Sequence, residues 1–192
     1  METDRYEEAL KELADHNFKP WEGGVSFRNL YVSSNMARGR QELAGHRAVQ
    51  AAQYFRDAML YPENLGTGAP DTAATSEQRY WLGNALEAEN MHEKAKQEWE
   101  NAAKQRSLKS GSCQVYAALS LRKLGKPDAV KEMLQPCIRS AEQHHASAGA
   151  LVNAGLAEEY SENAAAARED FHKALIVDPL YWRARIALAA TE

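Results

Sequence analysis

The chain has 192 residues, a formal net charge of −4 and 44% hydrophobic residues, which is the composition of an ordinary soluble protein. This acidic balance argues against a non-specific nucleic-acid binder, and no apolar run approaches the roughly 18 residues that cross a bilayer. Residues 1–15 are charged and lack the apolar core of a signal peptide. We therefore expect a reduced, cytoplasmic protein with Cys113 and Cys137 as buried free thiols.

Helical periodicity dominates the whole chain, and alanine is abundant while β-branched residues are few. The sequence therefore predicts an all-α fold, in which Gly125 ends one helix. Pro136 lies inside a predicted helix and is expected to kink or split it. The ten predicted helices lie near residues 4–14, 25–44, 46–61, 76–90, 92–106, 111–124, 127–143, 147–160, 163–177 and 180–191.

Two polar insertions interrupt the helices, at residues 20–24 and 61–70. The first contains Trp21 and Glu22, and the second contains Glu63 and Asn64. Long polar connections between helices are places where function is often located, so these four residues are candidate ligand contacts. The alternatives are structural: Trp21 would anchor its loop to the first helices, and the second loop would wrap over a junction between helices.

A pattern of small and large residues recurs through the chain. In its last copy, Gly155 is followed by Ala167, Phe171, Ala174 and Pro179. Small anchors of this kind let two antiparallel helices approach closely, while the large side chain fills the space beside the crossing. The earlier copies are Gly39, Ala51, Phe55 and Ala58; Gly83, Ala95, Trp99 and Ala102; and Ala118, Val130, Leu134 and Cys137.

This spacing resembles that of tetratricopeptide (TPR) repeats, and the four anchors lie 44, 35 and 37 residues apart. The resemblance implies one right-handed solenoid over residues 1–192. Its four helix pairs would span about 25–61, 76–106, 111–143 and 147–177, with helices 4–14 and 180–191 as half-repeats or caps.

Residues 4–106, with their two insertions, are also similar to the TPR segment of a bacterial family. In that family the segment follows a β-rich domain of unknown function that is related to carbohydrate-handling proteins. This resemblance implies that the chain is a fragment of a longer protein, whose missing part would carry any sugar chemistry.

In TPR proteins the first helix of each pair lines a concave binding face, so the resemblance implies a ligand stripe here. The mixed cationic, aromatic and polar residues of that stripe, Arg40, Tyr80, Asn84, Glu87 and Arg122, are the candidate ligand contacts. The alternative is that the stripe packs against a neighbouring helix or domain. The complete stripe is Met36, Arg40 and Leu43; Tyr80, Asn84 and Glu87; Val115, Leu119 and Arg122; and Val152, Leu156 and Glu159.

The sequence contains no nucleophile elbow, phosphate-binding glycine loop or metal motif, so we expect no catalytic residue, metal or cofactor. The favoured function is a non-catalytic scaffold that binds a protein or peptide partner, or a neighbouring domain of its own chain. Nucleic acid and membrane are not expected partners. One alternative is an accessory module of a carbohydrate-active protein, contributing Trp21 and the 61–70 loop to a site on another domain. Another is a homo-oligomer formed through the Val152 and Leu156 stripe or through an uncapped end of the array.

Overall fold

The computed structural model describes residues 5–19, 24–70, 74–104, 113–126, 130–143 and 145–191. In these ranges the regular structure is helical and no β-strand is found, which confirms the all-α prediction. The short 3-10 helix Glu63–Leu65, in the second insertion, was not predicted. The α-helices are α1 Tyr6–Asp15, α2 Gly24–Ala44, α3 Ala48–Asp57, α4 Ser76–Ala88, α5 His92–Lys104, α6 Val115–Lys123, α7 Val130–Ala141, α8 Ala148–Tyr160, α9 Ala164–Val177 and α10 Trp182–Thr191.

Helix α7 runs through Pro136 without a break, so of the two predicted outcomes the split is excluded, while a kink stays a prediction. Proline removes one backbone N–H, and here it leaves the carbonyl of Glu132 without its usual intrahelical donor. The side chain of Glu132 is exposed, so its carbonyl lies on the side of the helix where water can bind it. The cost of the proline is therefore reduced enough for the helix to continue.

The chain divides into two compact units, Met1–Glu98 and Trp99–Glu192, and the boundary falls inside α5. In the first unit α1 packs on α2, α2 on α3 and α3 on α4, and α2 also contacts α4. In the second unit each helix from α6 to α10 packs on the next one, and α8 also contacts α6 and α10. Within each unit, therefore, the first helices of successive pairs contact each other. A single solenoid over residues 1–192 stays a prediction.

The same turn joins the two helices of each pair. In each turn the residue seven positions after the anchor adopts a left-handed conformation, with φ between 59° and 69°. These residues are His46, Asn90, Gly125 and Glu162. In the first turn the amide of Arg47 donates to the carbonyl of Glu42 at 2.9 Å, and that of His46 to Leu43 at 3.0 Å. The other three turns repeat these two bonds. This is the Schellman motif, which satisfies carbonyls at the end of the first helix and reverses the chain.

Close approach at the anchor glycines fixes how the two helices of a pair pack. A Cβ atom placed on Gly39 would lie 2.8 Å from Cδ1 of Phe55, and one placed on Gly155 would lie 2.7 Å from Cδ1 of Phe171. Both phenylalanines are completely buried. Only glycine therefore leaves room for the ring at these two crossings. Except for the exposed Pro179, the remaining repeat positions are also buried: Ala51, Ala58, Gly83, Ala95, Trp99, Ala102, Ala118, Val130, Leu134, Cys137, Ala167 and Ala174.

Candidate functional site

Helix α4 presents the best-formed part of the predicted stripe. Tyr80, Asn84 and Glu87 follow one another at helical spacing, so they share one face of α4. All three are partly exposed. The side chain of Glu87 is 43% exposed, and its Oε2 lies 3.0 Å from Nδ1 of His92 at the start of α5. The structure thus keeps these three predicted residues on one accessible surface of the first unit.

Arg40 extends this surface onto α2, although its side chain is largely buried. Only 8% of the residue is exposed, and its guanidinium lies 4.3 Å from the centre of the Trp81 ring. Such a stack is a cation–π interaction, and it holds the guanidinium in one place. Met36, one turn earlier on α2, is completely buried and belongs to the core. Arg40 is therefore at most an edge contact for a ligand, and Met36 is none.

Trp81 is a residue of this surface that the sequence reasoning missed. The ring of Tyr80 meets it edge-on, with the ring centres 5.2 Å apart, and Phe55 stacks on it at 6.4 Å. Trp81 thereby links the exposed aromatic residue to the buried core. The only sequence signal was its position next to Tyr80, and a helical neighbour normally points about 100° away from the predicted stripe.

Two polar atoms on this face lack hydrogen-bond partners among the described residues: Oδ1 of Asn84 and Nε1 of Trp81. Both atoms are inaccessible to solvent in the free chain. Leaving a buried donor or acceptor unsatisfied costs about 1–3 kcal/mol, so such atoms are unusual in a folded protein. We call the set Arg40, Tyr80, Trp81, Asn84 and Glu87 the α4 face.

A second arginine–aromatic cluster lies beneath the end of α3. The guanidinium of Arg28 stacks 4.2 Å from the ring centre of Tyr61, and its Nη2 donates to the carbonyl of Ala58 at 3.1 Å. Burial lowers the pKa of Arg28, and the electrostatic interaction with Tyr61 partly offsets this. Burial also raises the pKa of Tyr31. These contacts hold α2 to the end of α3, so the cluster stabilises the scaffold of the α4 face.

In the second insertion, Asn64 has a structural contact. Its side-chain amide donates to the backbone carbonyls of Leu13 at 2.7 Å and His16 at 2.9 Å. The backbone carbonyl of Asn64 accepts from the backbone amide of Phe18 at 2.7 Å. These bonds satisfy the end of α1, so the loop wraps over a helix junction, as one of the two sequence interpretations stated. Glu63 is exposed on the 3-10 helix.

The first insertion gave two further candidates, Trp21 and Glu22. Both lie outside the described residues, so their proposed ligand contacts stay predictions.

The stripe of the second unit is mostly filled. Val115, Val152 and Leu156 are at most 8% exposed, and they lie on α6 and α8, which contact each other. Leu119 is partly exposed. The predicted contact Arg122 is exposed, and its guanidinium lies 5.0 Å from the ring centre of Tyr160 on α8. The apolar residues of this stripe therefore form core, and Arg122 is left at its edge.

An open depression of about 400 Å³ also lies in the second unit. Leu121 and Ala103 are almost fully buried in its wall, whereas Lys104 and Lys126 are exposed at its rim. Lys104 is the last residue of α5, and Lys126 follows the end of α6. A cation at the end of a helix is stabilised by the helix dipole. Glu100 also lines the depression, so its charged rim carries both signs.

The two cysteines form a disulfide, so the prediction of free thiols was wrong. Cys113 lies just before α6 and Cys137 lies within α7, and their Cα atoms are 4.5 Å apart. The sequence reasoning placed both cysteines on paired helices of one repeat. Free thiols were favoured because the sequence gives no distance between helices, and that distance decides whether a bond can form.

In the described part of the chain, no group of three or more histidine, cysteine, aspartate or glutamate side chains could hold a metal ion. A helix with the length and apolar character required to cross a membrane is likewise not found there. No protein-family model matches the sequence, and the search of curated proteins gives no significant match.

Proposed function

We propose that the chain is a non-catalytic interaction module of the TPR type, which binds a peptide segment of a partner or of a neighbouring domain in its own chain. The observation that carries this proposal is the fourfold recurrence of one helix–Schellman turn–helix unit, with the anchor and the turn residue in constant register. Helix pairs of this kind bury too little apolar surface alone and are stable when stacked. The proposal therefore includes a right-handed solenoid formed by all four pairs.

The α4 face is the proposed peptide contact. It combines an aromatic surface at Tyr80 and Trp81, a cation at Arg40 and an amide at Asn84. Tyrosine, tryptophan and arginine are the residues most enriched in binding hot spots, since they bury much area with few rotatable bonds. An extended peptide offers both N–H and C=O groups in alternation. Its main chain would hydrogen-bond with the partly exposed polar side chains of this face.

Two carboxylates with lowered pKa values are held in ion pairs, which is consistent with a structural role for these two groups. The pKa of Glu42 is lowered first by its hydrogen bond from Arg47, and that of Glu169 by its hydrogen bond from Lys173. Each of these hydrogen bonds belongs to an ion pair between two residues of the same unit. A catalytic acid or base needs its shifted pKa in a cleft where substrate can reach it.

Selection from a library of short random peptides displayed on phage would test the proposal with the intact chain as target. We expect enriched peptides whose affinity falls by about tenfold or more in Tyr80→Ala and in Asn84→Ala, which corresponds to about 1.4 kcal/mol. The matched control is Gln97→Ala, an exposed position on α5 away from this face. This control should retain full affinity, and circular dichroism should show that all four proteins are folded.

Two outcomes would overturn the proposal. In one, no peptide is enriched above the background of an unrelated helical protein. In the other, enriched peptides bind all four proteins equally, which would place the contact elsewhere than on the α4 face.

A further inference from the structure

The disulfide lies at one defined place in the helix repeat. Cys113 precedes α6 and Cys137 lies in α7, so the bond joins the two helices of the third pair. Cys137 is completely buried, whereas Cys113 is partly exposed. Cys113 is the less buried of the two residues, so its side of the bond is the one from which a small thiol would approach.

The other three pairs have no covalent link at this place. The sequence separation of the two cysteines is 24, and the same separation at the same register identifies the corresponding residues of the other pairs. None of these is a cysteine, and the buried second member is always alanine. The corresponding residues are Ser34 and Ala58, Gln78 and Ala102, and Ala150 and Ala174.

The third pair is also the one with the least regular helices. Its first helix, α6, has nine residues, whereas α2 has 21 and both α4 and α8 have 13. Its second helix, α7, contains Pro136, which removes one backbone hydrogen bond. A shorter helix has proportionally more unsatisfied backbone ends, so we expect this pair to depend more on a covalent link than its neighbours do.

We propose that the Cys113–Cys137 bond is a thiol–disulfide switch that controls the order of the α6–α7 pair. When the bond is formed, the pair is closed; when it is reduced, α6 and α7 open locally while the first unit stays folded. Since Arg122 and Leu119 lie on α6, opening would also remove them from the second unit's surface. This inference is independent of the proposed peptide contact on α4.

The chemistry requires only a low-molecular-weight thiol and its disulfide, such as glutathione. A thiolate attacks the sulfur of Cys113, forms a mixed disulfide with it, and expels the thiolate of Cys137, which takes a proton. A second thiolate then attacks the sulfur of the small molecule in the mixed disulfide, which releases Cys113 as a thiol and forms the small-molecule disulfide. Two thiols are oxidised as one protein disulfide is reduced. The reverse sequence closes the pair.

The surroundings determine which state dominates. Disulfides persist in oxidising compartments and are reduced by the thiol pool of the cytosol. The pair would therefore be open in a reducing compartment and closed in an oxidising one. In the cytoplasm, where the sequence analysis expects this protein, the two cysteines would be reduced and the pair would be open.

Hydrogen–deuterium exchange of the intact chain in glutathione buffers of increasing oxidised fraction tests this proposal, with alkylation and mass measurement to count free thiols. Reduction should accelerate amide exchange in α6 and α7 by about tenfold or more, because a closed unit becomes a locally open one. Exchange in α2 and α3 should not change. The transition should follow the loss of the two thiols as the buffer becomes more oxidising.

The chain supplies its own matched control. Cys113→Ser with Cys137→Ala reproduces the Ser34 and Ala58 combination of the first pair, so it removes the bond without adding bulk. This variant should show fast exchange in α6 and α7 in every buffer. The proposal is overturned if the wild type keeps two free thiols in oxidising buffer, or if reduction leaves exchange in α6 and α7 unchanged. It is also overturned if α2 and α3 accelerate as much as α6 and α7.

Discussion

Substituting Gly155 by alanine tests the packing that defines a helix pair. The new Cβ would lie 2.7 Å from Cδ1 and 2.9 Å from Cζ of Phe171. Carbon atoms pack comfortably at about 3.5–4.0 Å, so the ring or the helix must move by about 1 Å. Phe171 is completely buried, which leaves it no empty space to enter. Overpacking of this kind costs about 1–3 kcal/mol, and the better helix propensity of alanine offsets about 1 kcal/mol of it.

Gly149 lies on the same helix and provides the matched control. A Cβ at Gly149 would meet only the hydroxyl of Tyr181, at 3.1 Å, which is the far end of a side chain that can rotate away. Helix propensity largely cancels when the two alanine variants are compared. Urea denaturation followed by circular dichroism should therefore show Gly155→Ala less stable than Gly149→Ala by about 1–3 kcal/mol.

A rescue variant follows from the third pair, where Ala118 and Leu134 occupy the positions of the glycine and the phenylalanine. Combining Gly155→Ala with Phe171→Leu should recover part of the lost stability, with a coupling of about 1 kcal/mol or more. Two results would refute this packing. One is a Gly155→Ala variant as stable as Gly149→Ala. The other is that Phe171→Leu lowers the free energy of unfolding as much in Gly155→Ala as it does in the wild type.

Three further predictions concern single contacts. Asn64→Ala removes the donor to the two carbonyls at the end of α1, so the free energy of unfolding should fall by about 1–3 kcal/mol. The control Glu63→Ala, at an exposed position, should change it little. Equal effects of the two substitutions would contradict the contact. Glu162→Gly should stabilise the protein by about 1 kcal/mol, because φ is 60° at this residue of the fourth turn. Gly125→Ala should destabilise it, because φ is 69° at this residue of the third turn. Thermal melting should therefore show a higher melting temperature for the first variant and a lower one for the second. Glu42 has a pKa below its ordinary value of 4.5, chiefly through its hydrogen bond from Arg47. Its contribution is therefore present above pH 4.5 and is lost as pH falls through the lowered pKa, so urea titrations should show Glu42→Gln less stable than wild type at neutral pH and equal to it in strong acid.

The candidate site was only partly predictable from the sequence. Tyr80, Asn84 and Glu87 were found because helical spacing alone places them on one face of α4. The involvement of Trp81 was missed, because its contact with Arg40 depends on how α2 and α4 approach each other. Spacing also placed Val115 and Val152 on the stripe, yet it could not show that both are buried.

The sequence by itself determined local features of this protein: its helices, the small anchors and the helix end at Gly125. These follow from propensity, glycine conformations and capping, which act over a few residues. Only the tertiary structure decided the Cys113–Cys137 bond and the bonds from Asn64 to the end of α1, which lies 48 and 51 residues away. Contacts between distant segments depend on distances and orientations of packed helices, and no local pattern encodes those.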